Sequence, residues 1–335
     1  MNAAVLHGPR DLRIESRPYP EFGAGEALVE VTLAGLCGTD YRIWTGDRPV
    51  AYPRVMGHEF VGCVLAVGDA GGPLRPGTRV VIEPNYSCGT CPLCREGNRN
   101  LCARRVTVGI DVDGCFADAV RVPARCCWPL PDAVSDDAAV ITEPLAVVVR
   151  AVHRGAPKAG ESAAVIGGGA LGLLALQVLR ARGARVLVVG RTSRRFALAH
   201  ELGAERTHRV TDDPLDAVAR EFSGREGVDL VIEAVGTAEA VEHAVALVRP
   251  GGRIVLTGLP HEPTTLSFFS IVRREITILG SMIYQREFGD AVRLLESGAV
   301  RTDRFVSRRF PLEALGEAFA AHLDATAVKV VVAPR

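Results

Sequence analysis

Apolar residues in the first ~140 positions fall in short β-branched runs, among them Ala27 to Leu33, Phe60 to Val67 and Thr78 to Ile82, each bounded by turn residues such as Arg75-Pro76-Gly77. That pattern predicts a compact β domain with long functional loops. From about Ala151 the texture changes to apolar strands alternating with amphipathic helices. Strands are expected at Ala163 to Ile166, Val186 to Val189, Leu230 to Glu233 and Arg253 to Thr257. Helices are expected at Leu171 to Arg182, Ser193 to Leu202 and Ala238 to Val248. Such alternation predicts a parallel, doubly wound sheet. A further strand is expected at Ile276 to Leu279, then helices at Phe288 to Ser297 and Leu312 to Leu323, and a last strand at Val328 to Val332. No internal repeat or low-complexity segment breaks the series.

A length of 335 residues suits two domains rather than one core. Hydrophobic residues at 48% with 23% charged residues are the composition of a globular chain. The formal net charge is zero, which argues against nucleic acid or an anionic membrane as partner. No apolar run approaches the ~20 residues of a bilayer span. Met1 to Arg10 lack a charged-then-apolar signal pattern, so a cytoplasmic location is expected. Nearly all positive charge is arginine, the only lysines being Lys158 and Lys329, a bias read as genome composition rather than function.

Nine cysteines, an odd number, fit metal binding in a reducing compartment better than a disulfide framework. Cys88, Cys91, Cys94 and Cys102 are spaced C-x2-C-x2-C-x7-C. One loop with this spacing can wrap a tetrahedral zinc ion in four thiolates and leave no open position, an architectural role for the Ser87 to Leu101 lobe. Cys63, Cys115, Cys126 and Cys127 lack such spacing and are expected as small buried hydrophobes.

A second, open metal site is suggested upstream by Cys37-Gly38-Thr39-Asp40 and Gly57-His58-Glu59, with a further acid at Thr142-Glu143-Pro144. A thiolate, an imidazole and a carboxylate from separate loops can hold zinc and leave a position for water or substrate. Each motif alone would be incidental more often than not. Their joint occurrence ahead of a nucleotide-binding unit is what gives them weight.

That unit is Gly167-Gly168-Gly169-Ala170-Leu171-Gly172, which follows a predicted strand and opens a predicted helix. Gly167, Gly169 and Gly172 supply the G-x-G-x-x-G glycines for the tight turn, the backbone approach to a pyrophosphate and helix–sheet packing. An acid at the end of the next strand would take the ribose 2′-hydroxyl of NAD. Here the position falls at Gly190, and Arg191, Arg194 and Arg195 follow it. Guanidinium groups suit a 2′-phosphate, so the sequence favours NADP over NAD.

Taken together, these motifs resemble the zinc-containing medium-chain dehydrogenase/reductase family, and within it the polyol and threonine dehydrogenase branch. The match runs from Gly35-Leu36-Cys37-Gly38-Thr39-Asp40 and Gly57-His58-Glu59-Phe60-Val61-Gly62, through the cysteine lobe, to Glu143-Pro144-Leu145 and the glycine fingerprint. The resemblance implies an α/β protein with a GroES-like catalytic domain (residues 1–150 and 281–335) interrupted by a Rossmann domain (151–280). It implies a catalytic zinc on Cys37, His58 and one or both of Glu59 and Glu143, and a structural zinc on the four clustered cysteines. Glu143 stands where classical alcohol dehydrogenases carry a second cysteine. The Gly190-Arg191 pair departs from the branch, whose members usually have an acid there. Relatives usually form homodimers or homotetramers, often by pairing sheet edges near the strand equivalent to Ile276 to Leu279.

The activity so implied is zinc-assisted hydride transfer between a secondary alcohol, or its ketone, and the dinucleotide, with Thr39 starting a proton relay. Alternatives are a biosynthetic ketone or aldehyde reductase of the same family, and a non-catalytic NADP-binding zinc scaffold. Tyr41, Trp44, Tyr52, Ile110, Met282 and Tyr284 are expected near substrate, and Arg42, Arg48 and Arg54 would be the cluster for a phosphate-bearing one.

Overall fold

Five strands from the first ~140 residues and two from the C-terminus build a seven-stranded sheet in the computed structural model, which describes all residues except 70, 260–262 and 335. Strands follow the order Cys127–Pro129, Arg79–Ile82, Glu59–Val67, Glu26–Gly35, Lys329–Ala333 and Val306–Pro311, and Ala119–Pro123 also pairs with Glu26–Gly35. The ten residues of Glu26–Gly35 are long enough to serve three partners. Its first half pairs with Ala119–Pro123, while Ala34 and Gly35 pair with Val332 and Val331 of the last strand in the chain. The core beneath contains Phe60, Phe116 and Phe319, each at most 1% exposed. Cys115 and Cys126 are buried within it, as small hydrophobes would be.

A compact unit formed by Met1–Glu143, Ala291–Glu296 and Thr302–Arg335 contains this sheet. Pro144–Asp290 and Ser297–Arg301 form the second unit. The division falls at 143/144 and 290/291, against the change of texture near Ala151 and the return near Ser281 that the resemblance implies, and packing accounts for the offset. The helix Thr142–Gly155 rests on the second sheet, where a Cβ at Gly155 would come within 2.9 Å of Leu230. Ser281 stays tied to the same sheet through its N–H to the carbonyl of Leu256 at 2.8 Å.

Six parallel strands make up the second sheet, in the order Arg206–Arg209, Arg185–Gly190, Ser162–Ile166, Val228–Glu233, Val248–Leu256 and Thr277–Gly280. Numbered along the chain this is 3-2-1-4-5-6, the doubly wound order with its switch point beside the first strand. Ser162–Ile166 and Val228–Glu233 are buried at every position, as strands covered on both faces must be. Elements of this unit without a counterpart among the expectations are the polar edge strand Arg206–Arg209, the helices Thr142–Gly155 and Phe268–Arg273, and the helix Leu215–Ser223, which buries Leu215, Val218, Ala219 and Phe222. The helix expected from Ser193 begins at Phe196, because Ser193 to Arg195 make a turn closed by Phe196 N–H on the Ser193 carbonyl at 3.0 Å. No helix among the described residues is long and apolar enough to cross a membrane.

Candidate metal centres and dinucleotide site

Cys37 sits between a strand and a helix. It caps Gly38–Thr45 in an extended conformation (φ −106°, ψ 154°), and Asp40, three residues on, accepts the Cys37 N–H at 2.9 Å. Gly57 (φ +94°) turns the chain into His58; a Cβ there would lie 2.7 Å from Cys115 Sγ. Glu59 opens its strand opposite Gly35, where any Cβ would come within 2.7 Å of Glu59 Oε2. The missing side chain at Gly35 therefore makes the room that the carboxylate occupies.

These three turns bring one ligand atom each of Cys37, His58 and Glu59 within 4.8 Å of one another, with His58 and Glu59 buried. Nδ1 of His58 lies 3.3 Å from Asp40 Oδ1, in ion-pair range but without hydrogen-bond alignment, and both atoms are buried. Burial disfavours a charged imidazole, yet the Asp40 carboxylate and the Cys37 sulfur raise the His58 pKa well above its ordinary value. A soft, a borderline and a hard donor around a point that draws positive charge fit a divalent cation such as zinc. Glu143, in the first turn of its helix and 7% exposed, lies outside this three-residue group. Thr39 is half-buried on the helix that Cys37 caps.

Two residues of this neighbourhood carry roles that their sequence positions do not announce. One is Asp40, fully buried as both cap and histidine partner. The other is Lys329, 5% exposed, whose Nζ ion-pairs with Glu59 and donates to the Leu36 carbonyl at 3.1 Å. Burial would lower its pKa, but the charges of Glu59, Cys37 and Glu143 raise it, so the ammonium form is the stable one. A signal for Lys329 did exist: a chain that uses arginine almost everywhere keeps a lysine there.

In the cysteine lobe, the sulfurs of Cys88, Cys91, Cys94 and Cys102 all lie within 4.8 Å of one another. Separations of 3.9 Å (Cys88–Cys94), 3.8 Å (Cys91–Cys102) and 3.6 Å (Cys102–Cys88) match the edge, about 3.8 Å, of a tetrahedron with metal–sulfur bonds of about 2.3 Å. Backbone N–H groups of Thr90 and Cys91 help to bring the Cys88 thiol down to about 5, the thiolate form that a metal takes. Four sulfurs fill the sphere, so this site is closed.

Gly167 (φ +111°) ends the first strand of the second sheet, and its N–H donates to the Val189 carbonyl at 2.8 Å. Gly172 packs so closely on this turn that a Cβ would stand 1.7 Å from the Gly167 carbonyl oxygen. Gly169 caps the helix Ala170–Ala181, whose first residues, Ala170 and Leu171, remain half-exposed while Gly172 to Leu179 are buried. An accessible helix N-terminus behind a glycine turn is the geometry that takes a pyrophosphate. Gly190 ends the neighbouring strand, with no acid in its place. Arg195 folds back to this turn and donates from Nη1 to the Gly168 carbonyl at 3.2 Å, whereas Arg191 is exposed.

Among the residues expected near substrate, Tyr41, Trp44, Tyr52 and Ile110 pack partly buried against the core of the first unit. Trp44 is stacked on Phe319 at 5.0 Å between centroids, with Arg10 over its ring. Tyr284 is only 2% exposed, with its ring centroid 5.5 Å from that of Phe288, which makes it a core residue. Arg54 is paired with Asp113 at 3.3 Å, which leaves Arg42 and Arg48 of the basic trio without that tie.

Residues 23–132 match the family model of the alcohol dehydrogenase GroES-like domain, and residues 170–297 match that of the zinc-binding dehydrogenases. L-threonine 3-dehydrogenase of Bacillus velezensis is 34% identical over 328 residues, covering 95% of this chain and 94% of that protein. A zinc-binding dehydrogenase of Sinorhizobium meliloti, solved with NADP bound, superposes with a TM-score of 0.95 at 35% identity over 99% of both chains. An alcohol dehydrogenase of Escherichia coli CFT073 (rspB), solved with NADH, gives 0.94 at 32% identity over 99% of both chains. Two family models that together span most of the chain, and relatives above 30% identity along nearly all of it, establish that this chain belongs to the zinc-binding medium-chain dehydrogenases and is a zinc-dependent, NAD(P)-dependent enzyme acting on a CH–OH group.

Proposed function

We propose that the enzyme moves hydride between NADP and a secondary alcohol of the polyol, cyclitol or amino-alcohol class. The observation that carries this reading is the meeting of Cys37, His58 and Glu59, ligands for a catalytic zinc beside a chemically distinct four-cysteine site. When bound, the zinc supplies Lewis acidity to the substrate oxygen and the nicotinamide supplies the hydride acceptor or donor. Asp40 fixes Cys37 through its N–H and faces the His58 ring, so both ligands are oriented by one buried carboxylate. Lys329 balances the charge of Glu59, and Glu143 stands by as a second acid whose charge reaches the same lysine. Thr39 Oγ1 is assigned the hydrogen bond to the substrate hydroxyl and the first step of its proton towards water.

Preference for NADP is supported by the absence of an acid at Gly190 and by Arg195 at the glycine turn, with Arg191 exposed just after the strand end. The S. meliloti relative carries NADP and the E. coli one NADH, so the choice rests on these arginines. The threonine dehydrogenase among the relatives supports an amino-alcohol or polyol over a simple alkanol.

A homodimer, or a tetramer built from it, is part of the same reading. Thr277–Gly280 is an edge strand, and Phe268, Phe269 and Val272 in the helix just before it are 71%, 73% and 74% exposed. Unpaired strand edges and apolar patches of this kind call for a cover, and a second copy supplies one. The deciding assay follows dinucleotide reduction over a panel of polyols, cyclitols, amino alcohols and simple secondary alcohols with both NADP and NAD. Turnover confined to simple alkanols, or faster with NAD throughout, would overturn the substrate or cofactor part of the reading.

A further inference from the structure

Glu233 is the last residue of a central strand whose other side chains, Asp229 excepted, are apolar, and it is completely buried. Its neighbours in register are Ile166 on one side and Leu256 on the other. The carboxylate does not pair with a cation in the described contacts. Its Oε1 turns onward along its own chain and accepts the N–H groups of Val235 at 2.6 Å and Gly236 at 2.8 Å. Its Oε2 is buried without a hydrogen-bond partner and faces Gly258, where a Cβ would come within 2.7 Å of it and 2.1 Å of Gly236 N. Gly236 (φ +80°) is pressed in turn against Leu259, with 2.6 Å between its ideal Cβ and Leu259 N.

Two loops therefore cross at glycines around one carboxylate. A third meets them: a Cβ at Gly167, the first fingerprint glycine, would stand 2.9 Å from Val235 Cγ2, and Ala234 N–H donates to the Ile166 carbonyl at 3.1 Å. The main chain of Glu233 adds to the junction, its carbonyl accepting Thr257 N–H at 3.0 Å and Gly258 N–H at 3.2 Å. All three loops leave the carboxyl ends of adjacent strands, the edge on which doubly wound sheets bind dinucleotides. Burial pushes the Glu233 pKa up against the pull of the Gly236 and Val235 N–H groups, so a carboxylate here costs stability that an apolar side chain of similar size would not. Stability alone does not explain the residue.

We infer that Glu233 is a positioning residue for the dinucleotide, tying the Val235–Gly236 and Gly258 loops to the Gly167 turn so that the cofactor meets a preformed wall. Val235, 47% exposed although it adjoins this buried junction, is the side chain so presented. Preorganised walls raise affinity by removing the ordering cost of binding. The junction meets the glycine turn at Gly167 through Val235, next to the Gly168 carbonyl that holds Arg195, but among the described residues it offers the cofactor no cation that would tell a 2′-phosphate from a hydroxyl, so its effect is the same for NADP and NAD.

This inference rests on the dinucleotide reading above, and the two can fail separately. NADPH and NADH are titrated by nucleotide fluorescence against the wild type, Glu233→Leu and Glu233→Gln, each with its zinc content and unfolding midpoint recorded. Glu233→Leu, which removes both acceptors, is expected to raise Kd at least tenfold for both dinucleotides with two zinc per chain retained, and to raise the cofactor KM by a larger factor than it lowers kcat. Glu233→Gln keeps one weaker acceptor and is expected to raise Kd two- to fivefold, which decides the matter should the leucine variant not fold. Unchanged Kd in Glu233→Gln, or a loss confined to kcat in either variant, overturns the role of Glu233. A wild type that binds neither dinucleotide ends the dinucleotide reading itself.

Discussion

The ammonium of Lys329 is seated on the carboxylate of Glu59, both side chains at most 6% exposed, in a pair that joins the last strand of the chain to a candidate metal ligand 270 residues away. Two charges removed from water stabilise a fold only when each is answered. Glu59 has two possible cations, the lysine and a metal beside Cys37 and His58. Lys329→Met leaves it with one. Breaking a buried pair from one side costs about 3–5 kcal/mol, and denaturant unfolding of the metal-stripped variant should show a loss of that order. Added zinc should recover more stability in the variant than in the wild type, because only there does it answer an otherwise unpaired carboxylate. An equal gain in both proteins would mean that Glu59 does not face the ion.

The proposed preference for NADP rests on Arg195 and Arg191. Arg195→Ala and Arg191→Ala are each expected to raise the Kd for NADP about tenfold, the loss of about 1.4 kcal/mol of charge-assisted hydrogen bonding. NAD affinity should fall less than threefold, since only the 2′-phosphate is recognised by charge. Isothermal titration with both dinucleotides checks this, and an Arg191→Ala variant with its NADP affinity intact would remove that residue from the site.

The four-cysteine lobe holds a loop that buries little apolar surface. Leu93 and Leu101 within it are 36% and 52% exposed. Cys94→Ser should therefore lower the zinc content from two to one per chain and open residues 88–102 to limited proteolysis. Inductively coupled plasma mass spectrometry on the purified variant gives the first number. Retention of two zinc ions would show that the lobe closes without Cys94.

Phe268 and Phe269 lie on a helix that leaves both rings largely in solvent. The double variant Phe268→Glu, Phe269→Glu places like charges where a second copy would sit. Light scattering should report a particle of about half the wild-type mass, with monomeric unfolding cooperativity preserved. An unchanged mass would place the interface elsewhere.

How far these features can be read from sequence depends on how local their causes are. Ser162–Ile166 and Val228–Glu233 were legible because strands buried on both faces are unbroken apolar runs. Arg206–Arg209, polar and at the edge, carries no such run, and its pairing with Arg185–Gly190 supplies what its composition does not. The cysteine lobe was legible because its ligands sit within one short loop. Asp40 stands in the Cys37 motif, but its role depends on His58, a partner distant in sequence that no local pattern pairs with it. Lys329 was passed over because its place follows from register, Val331 against Gly35, which no local pattern encodes. The expected helix start at Ser193 fails for a local reason: Phe196 N–H closes a turn on the Ser193 carbonyl, and the helix begins only there.

Cys37, His58 and Glu59 form one catalytic metal site in the proposed mechanism, and Cys37→Ser tests that most directly. Zinc content, NADPH affinity and turnover of the best alcohol from the panel are measured on the same preparation as the wild type. The expected result is one zinc per chain instead of two, NADPH binding within twofold of wild type, and turnover reduced at least a thousandfold. A Cys37→Ser protein that retains full turnover would contradict the assignment.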